Sequence, residues 1–205
     1  GTRLGSLAAL FAAMACGLTL EAQAQVVISE IMYHPVEEPA FQPDGSPVLD
    51  LYEDIHEFAE IHNLGSTAVD LAGWQLAGGI RFTFPPKTTL RPGEHRVIAK
   101  NPARLAAVTV YGLALLEILG PYTNQLGNAN DTIRLLNAAG DPVDAVSYSA
   151  EFPWAISADA LGANDDFTGL NPLDYQYRGR SLERLSFTHS ANDPANWLAS
   201  PFPGN

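Results

Sequence analysis

Hydrophobic residues recur along the chain in short runs that suit β-strands. The run from Val26 to Met32 is rich in β-branched residues and is followed by Pro35, which is typical of a strand and its end. Further on, strict alternation puts Ile80, Phe82 and Phe84 on one face of a strand. Strands are also predicted over residues 57–63, 71–76, 94–100 and 181–187.

The strongest local signal is a β-hairpin. Residues 131–136 and 142–148 are strand-like, and the turn residues 137–140 separate them. One short helix is predicted from Pro102 to Ala107, because Asn101 can cap it and proline is favourable at the first helical position. Many short strands with turns between them and little helix predict an all-β fold, an antiparallel β-sandwich or barrel.

Two long segments interrupt this pattern. Residues 34–56 are rich in proline and acidic residues, and residues 149–180 are rich in asparagine, aspartate and glycine. We predict two long irregular loops here, because these residue types favour turns over regular structure. Irregular segments of this length inside a compact domain are usually functional or disordered, so any specific function is expected there.

Several short motifs follow one another in a characteristic order. They are ISEIMY at 28–33, EFAEIHN at 57–63, LAGWQL at 71–76, GNANDTIRL at 127–135, DAVSY at 144–148 and SLER at 181–184. In this order they resemble the lamin tail domain (LTD) family, in particular its bacterial secreted members, over about residues 26–203. The resemblance implies an immunoglobulin-like antiparallel β-sandwich, here residues 25–205, that serves as a non-catalytic interaction or attachment domain.

The first residues have the composition of a secretory leader. Residues 4–20 are almost wholly apolar, Arg3 precedes them, and Ala22-Gln23-Ala24 follows. We predict a signal peptide over residues 1–24, cleaved near Ala24, and therefore a secreted, extracellular or cell-surface protein. A membrane anchor is the alternative, although the apolar run is slightly short for a bilayer span. Lipidation at Cys16 is a weaker alternative, because Ala13 stands where a larger aliphatic residue is preferred.

Acidic residues dominate the first part of the chain. The net charge is −12, and the first 80 residues contain eleven acids but only one basic residue, Arg3. This charge repels phosphate backbones, so nucleic acid is not an expected partner. Cys16 is the only cysteine, so a mature domain without the leader has neither a disulfide nor a cysteine-ligated zinc. No membrane span is predicted in the mature chain.

Two groups of carboxylates are candidate calcium ligands. Glu53, Asp54 and Glu57 lie in or beside the first long loop, and Asp165 and Asp166 lie in the second. Calcium needs several oxygen ligands at once, but the spacing matches no EF-hand pattern. The favoured interpretations are a solvated acidic loop and Asx-type turns, so no cofactor is expected and Ca²⁺ is the alternative.

Histidines near the acidic loop offer a second metal hypothesis. His34, His56 and His62, with Glu57 or Glu60, could supply nitrogen and oxygen ligands for zinc. The sequence has no H-E-x-x-H motif and the segment is strand-like, which argues against zinc. A structural role is predicted for Asp131, whose carboxylate is placed to accept hydrogen bonds from backbone N–H groups at the start of a strand.

One group of aromatic and basic residues is a candidate ligand surface. It consists of Trp154, Tyr175, Tyr177, Arg178 and Arg180. Aromatic rings beside guanidinium groups can hold sugars, peptides or acidic groups, and an exposed Trp154 would provide a contact platform. The alternative is that these arginines pair with the chain's own acidic residues.

Motifs for catalysis are absent from the sequence: it contains no G-x-S-x-G and no glycine-rich phosphate loop. We predict a non-catalytic extracellular interaction or attachment module, the N-terminal domain of a larger secreted or surface protein, whose partner is a protein or surface polymer. The alternatives are a calcium-stabilised adhesion or carbohydrate-binding module, a structural spacer, and a hydrolase that uses two carboxylates of the acidic loop. The hydrolase requires one glutamate with a raised pKa beside another acid in a cleft.

Overall fold

The computed structural model describes residues 25–35, 55–108, 111–159 and 180–201, with short pieces at 40–41, 44 and 47–48. These residues contain one short α-helix, α1 (Pro102–Ala107), and fifteen strands. The strands are β1 (Val26–Met32), β2 (Ala40–Phe41), β3 (Pro47–Val48), β4 (Phe58–Asn63), β5 (Val69–Asp70), β6 (Gln75–Gly78), β7 (Ile80–Thr83), β8 (Thr89–Leu90), β9 (His95–Ala99), β10 (Ile118–Leu119), β11 (Thr123–Asn124), β12 (Asn130–Leu136), β13 (Pro142–Ser149), β14 (Leu182–Arg184) and β15 (Trp197–Ala199).

Two sheets make up most of the structure. The first has six strands in the order β10-β9-β4-β1-β14-β15, and the second has five in the order β11-β7-β6-β12-β13. All pairs are antiparallel except β9 with β10. The predicted all-β fold of the immunoglobulin-like type is therefore confirmed. Among the described residues no helix is long and apolar enough to cross a membrane.

The main hydrophobic core joins inward-facing residues of both sheets. Ile28, Ile31 and Ile61 of the six-stranded sheet are fully buried with Ile133 and Leu135 of the five-stranded sheet. Full burial of one such side chain contributes about 1.5–3 kcal/mol. The sandwich therefore has a large apolar core that requires no covalent cross-link.

A smaller core lies on the opposite face of the six-stranded sheet. Met32, Phe58 and Val97 are strand neighbours of main-core residues, so the alternation of side chains puts them on the outer face. Leu105 of α1 packs with them, as do Tyr111 and Leu113 of the segment that follows α1. The helix and residues 111–118 therefore cover part of the outer face.

Local predictions agree well with these elements. Strand β1 and helix α1 have the predicted bounds, and Asn101 Oδ1 accepts a hydrogen bond from Arg104 N at 3.2 Å as the cap. The predicted hairpin is β12 with β13. The predicted leader over residues 1–24 lies outside the described residues.

Four local predictions were wrong. The strand predicted over residues 71–76 is instead β6 at Gln75–Gly78, because residues 72 and 73 form a turn in which Gly73 has a φ of +77°. Residues 40–41 and 47–48 form a small two-stranded ladder within the loop predicted to be irregular, because the chain turns back on itself around Asp44. Residues 156–158 of the second loop form a 3-10 turn. The last predicted strand is shorter than 181–187, and it pairs with β15, which was not predicted.

Candidate functional site

Most of the predicted ligand residues lie outside the part of the chain that the structure describes. These are Glu53, Asp54, Asp165, Asp166, Tyr175, Tyr177 and Arg178. The calcium hypothesis for the two loops therefore stays a prediction. Glu57, Trp154 and Arg180 are described and can be placed.

Trp154 is a core residue and not an exposed platform. Its side chain is only 7% exposed, and its ring centroid lies 6.2 Å from that of Trp197. Arg180 is also engaged within the chain: Nη2 donates a hydrogen bond to Ala199 O at 3.1 Å, and Nε donates to Ser200 O. These two partners are backbone carbonyls at and just after the end of β15.

Glu57 is buried and serves as a structural acceptor. Tyr122 Oη and Leu126 N donate hydrogen bonds to its Oε2 at 2.9 and 3.2 Å, and Lys100 Nζ lies 3.9 Å away. Because the side chain is fully buried, it is not part of a solvated acidic loop. It ties the start of β4 to the residues on either side of β11.

The three histidines considered for zinc do not form one metal-binding group. His34 Nδ1 is 2.5 Å from Asp159 Oδ1, whereas His62 stacks on His95 with centroids 3.8 Å apart. His56 is buried, and this burial lowers its pKa to about 4. Within the described ranges, no group of three His, Cys, Asp or Glu side chains is arranged to hold a metal ion.

The structural role predicted for Asp131 agrees with its contacts. Its Oδ1 accepts a hydrogen bond from Thr132 N at 2.7 Å, and Oδ2 accepts one from Gly127 N at 3.1 Å. The carboxylate also packs closely on the backbone of β6 and β7, since a Cβ at Gly79 would lie 1.8 Å from Oδ2. Asp131 therefore fixes the turn that leads into β12.

A groove of about 250 Å³ lies on the outer face of the six-stranded sheet. We call it the outer groove. Its lining includes three glutamates, two serines and the apolar residues of the smaller core; these are Glu30, Met32, Phe58, Glu60, Val97, Tyr111, Leu113, Ser181, Glu183, Ser200 and Pro201. Strands β1, β4, β9 and β14 provide its floor, and the segment after α1 provides one wall.

Three glutamates lie side by side across the floor of the outer groove. Glu30 in β1 is paired directly with Glu60 in β4 and with Glu183 in β14. A bulge between Ile28 and Glu30 sets this register. Like charges directly opposite each other in a sheet are destabilising, so this arrangement has an energetic cost for the isolated domain.

Burial changes the acidity of the central glutamate. Desolvation raises the pKa of Glu30 to about 7, and the negative charges of Glu60 and Glu183 act in the same direction. A hydrogen bond donated by Ser181 Oγ opposes this shift. Glu30 is therefore partly protonated near neutral pH, and the groove can exchange a proton there.

Two kinds of group lie beside these carboxylates: hydrogen-bond donors and an aromatic ring. Glu60 Oε1 accepts hydrogen bonds from Ser29 Oγ and His95 Nδ1, both at 2.6 Å. The phenol of Tyr111 lies on the opposite wall, where burial and the charge of Glu30 raise its pKa to about 12. Tyr111 is therefore a neutral aromatic wall at physiological pH.

The outer groove continues into a second, wider hollow. The two share Glu60, Val97 and Leu113, and the second hollow has a volume of about 660 Å³. Its rim includes Leu116, which is 94% exposed, and Lys87. The outer face therefore offers a small pocket with a larger open surface beside it.

This site was not predicted from the sequence. Glu60 was considered only as a metal ligand, and Glu30 and Glu183 were not singled out as site residues. Alternation along β1 does indicate that Glu30 and Met32 share a face. No local sequence pattern, however, indicates that these three strands from distant parts of the chain pair in this register.

Comparison with protein-family models matches residues 19–150 to the Lamin Tail Domain. The match includes β1 to β13, and therefore Glu30, Glu60 and Tyr111 of the outer groove. A search of curated proteins finds no match to the chain.

Proposed function

The chain belongs to the lamin tail domain family, and we propose that it is a non-catalytic interaction module that acts outside the cell. The family consists of immunoglobulin-like domains without enzymatic activity, and the sandwich described above is of this kind. Binding is therefore the function that the family and the fold both favour.

The outer groove is the structural feature that most supports this proposal. The isolated domain has a concave surface with apolar walls and a floor of three in-register carboxylates. Like charges held together without a partner are unfavourable within a domain, but they contribute to recognition when a complementary group binds. Beside the groove, the 94% exposed Leu116 adds apolar surface of the kind that is buried in protein interfaces.

The extracellular location rests on the leader pattern in the sequence. Arg3, the apolar run over residues 4–20 and Ala22-Gln23-Ala24 have the order of a secretory signal. Attachment of a larger secreted or surface protein to its partner is the role this location implies. Proteolytic removal of residues 1–24 during export, detected by mass spectrometry of the exported chain, tests this part of the proposal.

A carboxylate-dependent hydrolase is a second candidate. The required glutamate with a raised pKa beside another acid is present, although in the outer groove and not in the acidic loop: Glu30 lies beside Glu60 and Glu183. The non-enzymatic character of the family favours binding. Hydrolysis of chromogenic glycosides or esters by the chain, lost in Glu30→Gln, would establish the hydrolase and overturn the binding proposal.

Site-specific photocrosslinking tests the interaction function. A photoreactive amino acid at Leu116, beside the groove, is expected to form a discrete adduct with one partner from the extracellular material of the source organism. The same amino acid at Ala139, an exposed turn residue between β12 and β13, is the matched control. No adduct at Leu116, or the same adducts at both positions, would contradict the proposal.

A further inference from the structure

The outer groove holds negative charge that the described part of the chain does not neutralise. Glu60 has His95 as a partner, but neither Glu30 nor Glu183 forms an ion pair with a lysine or arginine of the described residues. Glu30 instead accepts a hydrogen bond from Ser181 Oγ. A positive group between these carboxylates would remove their mutual repulsion and partner the desolvated Glu30.

The carboxylates are spread in a way that does not suit a bare metal ion. Calcium needs six to eight oxygen ligands about 2.3–2.6 Å from one point. Glu60, Glu30 and Glu183 stand on three adjacent strands, which are about 4.8 Å apart, and no metal-binding group is found among the described residues. An ammonium or guanidinium group suits them better, because several N–H donors can reach separate acceptors.

The walls of the groove suit the stem of a long cationic side chain. Met32, Phe58 and Leu113 provide apolar surface beside the carboxylates, and lysine and arginine bury their methylene stems on such surface while their charged ends meet polar groups. The ring of Tyr111 adds an aromatic surface that attracts a cation. The volume of about 250 Å³ lies below the range of about 300–1,000 Å³ for pockets that hold whole organic ligands, so one side chain fits better than an oligosaccharide.

We propose that the outer groove binds a lysine or arginine side chain presented by a partner protein. Glu30 and Glu183 bind the charged end, while Met32, Phe58 and Tyr111 contact the stem. The adjoining hollow, with Leu116 at its rim, provides room for the polypeptide that carries the side chain. This inference rests on the interaction function proposed above and specifies the chemistry of the partner.

Short labelled peptides test the proposal with the full chain. Three fluorescein-labelled pentapeptides carry lysine, arginine or norleucine at the centre between glycine and serine residues, and binding is followed by fluorescence anisotropy near neutral pH and at low salt. Norleucine keeps the apolar stem and lacks the charge. The lysine and arginine peptides are expected to bind about tenfold more tightly than the norleucine peptide, and added salt should weaken their binding.

Two charge-matched variants locate the site. Glu183→Gln removes one carboxylate of the groove at an exposed position and is expected to weaken binding of the lysine peptide about fivefold. Glu151→Gln removes the same charge at an exposed position outside the groove and should leave binding unchanged. Both variants should retain the far-ultraviolet circular dichroism spectrum of the unchanged chain, and neither should melt at a lower temperature than it.

The outcomes separate this inference from the interaction function. Equal binding of the lysine and norleucine peptides, or equal effects of Glu183→Gln and Glu151→Gln, would overturn the groove assignment. If the Leu116 probe still forms its specific adduct in that case, the interaction function stands with a different chemistry. If the peptides bind as expected but no specific adduct forms, the groove assignment stands and the proposed function fails.

Discussion

Arg184 and Asp144 form a buried ion pair that joins the two sheets of the sandwich. Arg184 Nη1 in β14 donates to Asp144 Oδ2 in β13 at 2.9 Å, and the two side chains are only 5% and 11% exposed. The same carboxylate oxygen accepts a hydrogen bond from Ile28 N at 2.9 Å. Asp144 therefore holds β13 to β1 and β14, which are the strands that present Glu30 and Glu183.

This pair predicts a large effect of removing one charge. Asp144→Asn leaves Arg184 buried without its anion, so the free energy of unfolding should fall by about 3 kcal/mol. Glu151→Gln, at an exposed position, should change it by less than about 0.5 kcal/mol. Urea denaturation followed by tryptophan fluorescence measures both. Equal stability of Asp144→Asn and the unchanged chain would show that the pair does not hold the sheets together.

The burial of Trp154 predicts that it stabilises the fold. Its ring packs against Trp197 within the core, so Trp154→Ala should lower the free energy of unfolding by about 3 kcal/mol. Ile156→Ala, two residues further on, removes a side chain that is 54% exposed and should cost less than about 1 kcal/mol. Thermal and urea unfolding of the two variants compare them directly. A Trp154→Ala variant as stable as Ile156→Ala would restore the interpretation of Trp154 as an exposed contact.

The raised pKa of Glu30 predicts a pH dependence of stability. The ordinary pKa of 4.5 rises to about 7 in the fold, so the folded state retains a proton that the unfolded state has lost. Stability contributed by this group is therefore lost as the pH rises from about 4.5 to about 7. Glu30→Gln should be more stable than the unchanged chain above pH 7, by about 2 kcal/mol after allowance for residual solvent contact.

The difference between Glu30→Gln and the unchanged chain should shrink toward zero as the pH falls to about 4.5. Unfolding in urea at several pH values measures it, and Glu151→Gln is the control because its carboxylate lies outside the groove. A difference that does not depend on pH would contradict the assignment of the proton to Glu30.

Two glycines with positive φ should differ in how strongly an alanine substitution destabilises the fold. A Cβ at Gly78, where φ is +112°, would lie 1.9 Å from Thr132 O of the neighbouring strand, whereas a Cβ at Gly93, where φ is +69°, meets nothing within 4 Å. Gly93→Ala should lower the free energy of unfolding by only about 1 kcal/mol, because alanine is strained in the left-handed backbone conformation. Gly78→Ala introduces the same strain and also forces β6 and β12 apart, so it should lower the free energy of unfolding by about 3 kcal/mol or more. Similar melting temperatures for the two variants would contradict the close approach of these strands.

Local patterns allowed much of the fold to be predicted. The β-branched run of β1 and the Asn101-Pro102 start of α1 act within a few residues, so their bounds agree with the sequence prediction. Strand β15 was missed because it has only three residues and owes its conformation to pairing with β14. Trp154 was considered as an exposed contact because nothing local indicates its packing on Trp197, which is 43 positions away in sequence.

The candidate site could not be predicted in the same way. Ser181 and Glu30 are hydrogen-bonded but separated by 151 positions in sequence, and Glu60 reaches Glu30 only through strand pairing. Single glutamates on strands are usually solvated, so none of the three carries a signal by itself. The charges of the acidic loop are close in sequence and so are visible there, whereas the charges of the groove are close only in space.

The most direct test is to observe where a small cation binds. The ¹⁵N-labelled chain is titrated with Nα-acetyl-lysinamide and, separately, with Nα-acetyl-norleucinamide, and amide chemical shifts are followed by nuclear magnetic resonance. Saturable shifts are expected for Glu30, Tyr111, Ser181 and Glu183 with the lysine compound and none with norleucine. Absence of saturable shifts at these residues, or shifts centred on acidic residues elsewhere, would contradict the binding of a cationic side chain in the outer groove.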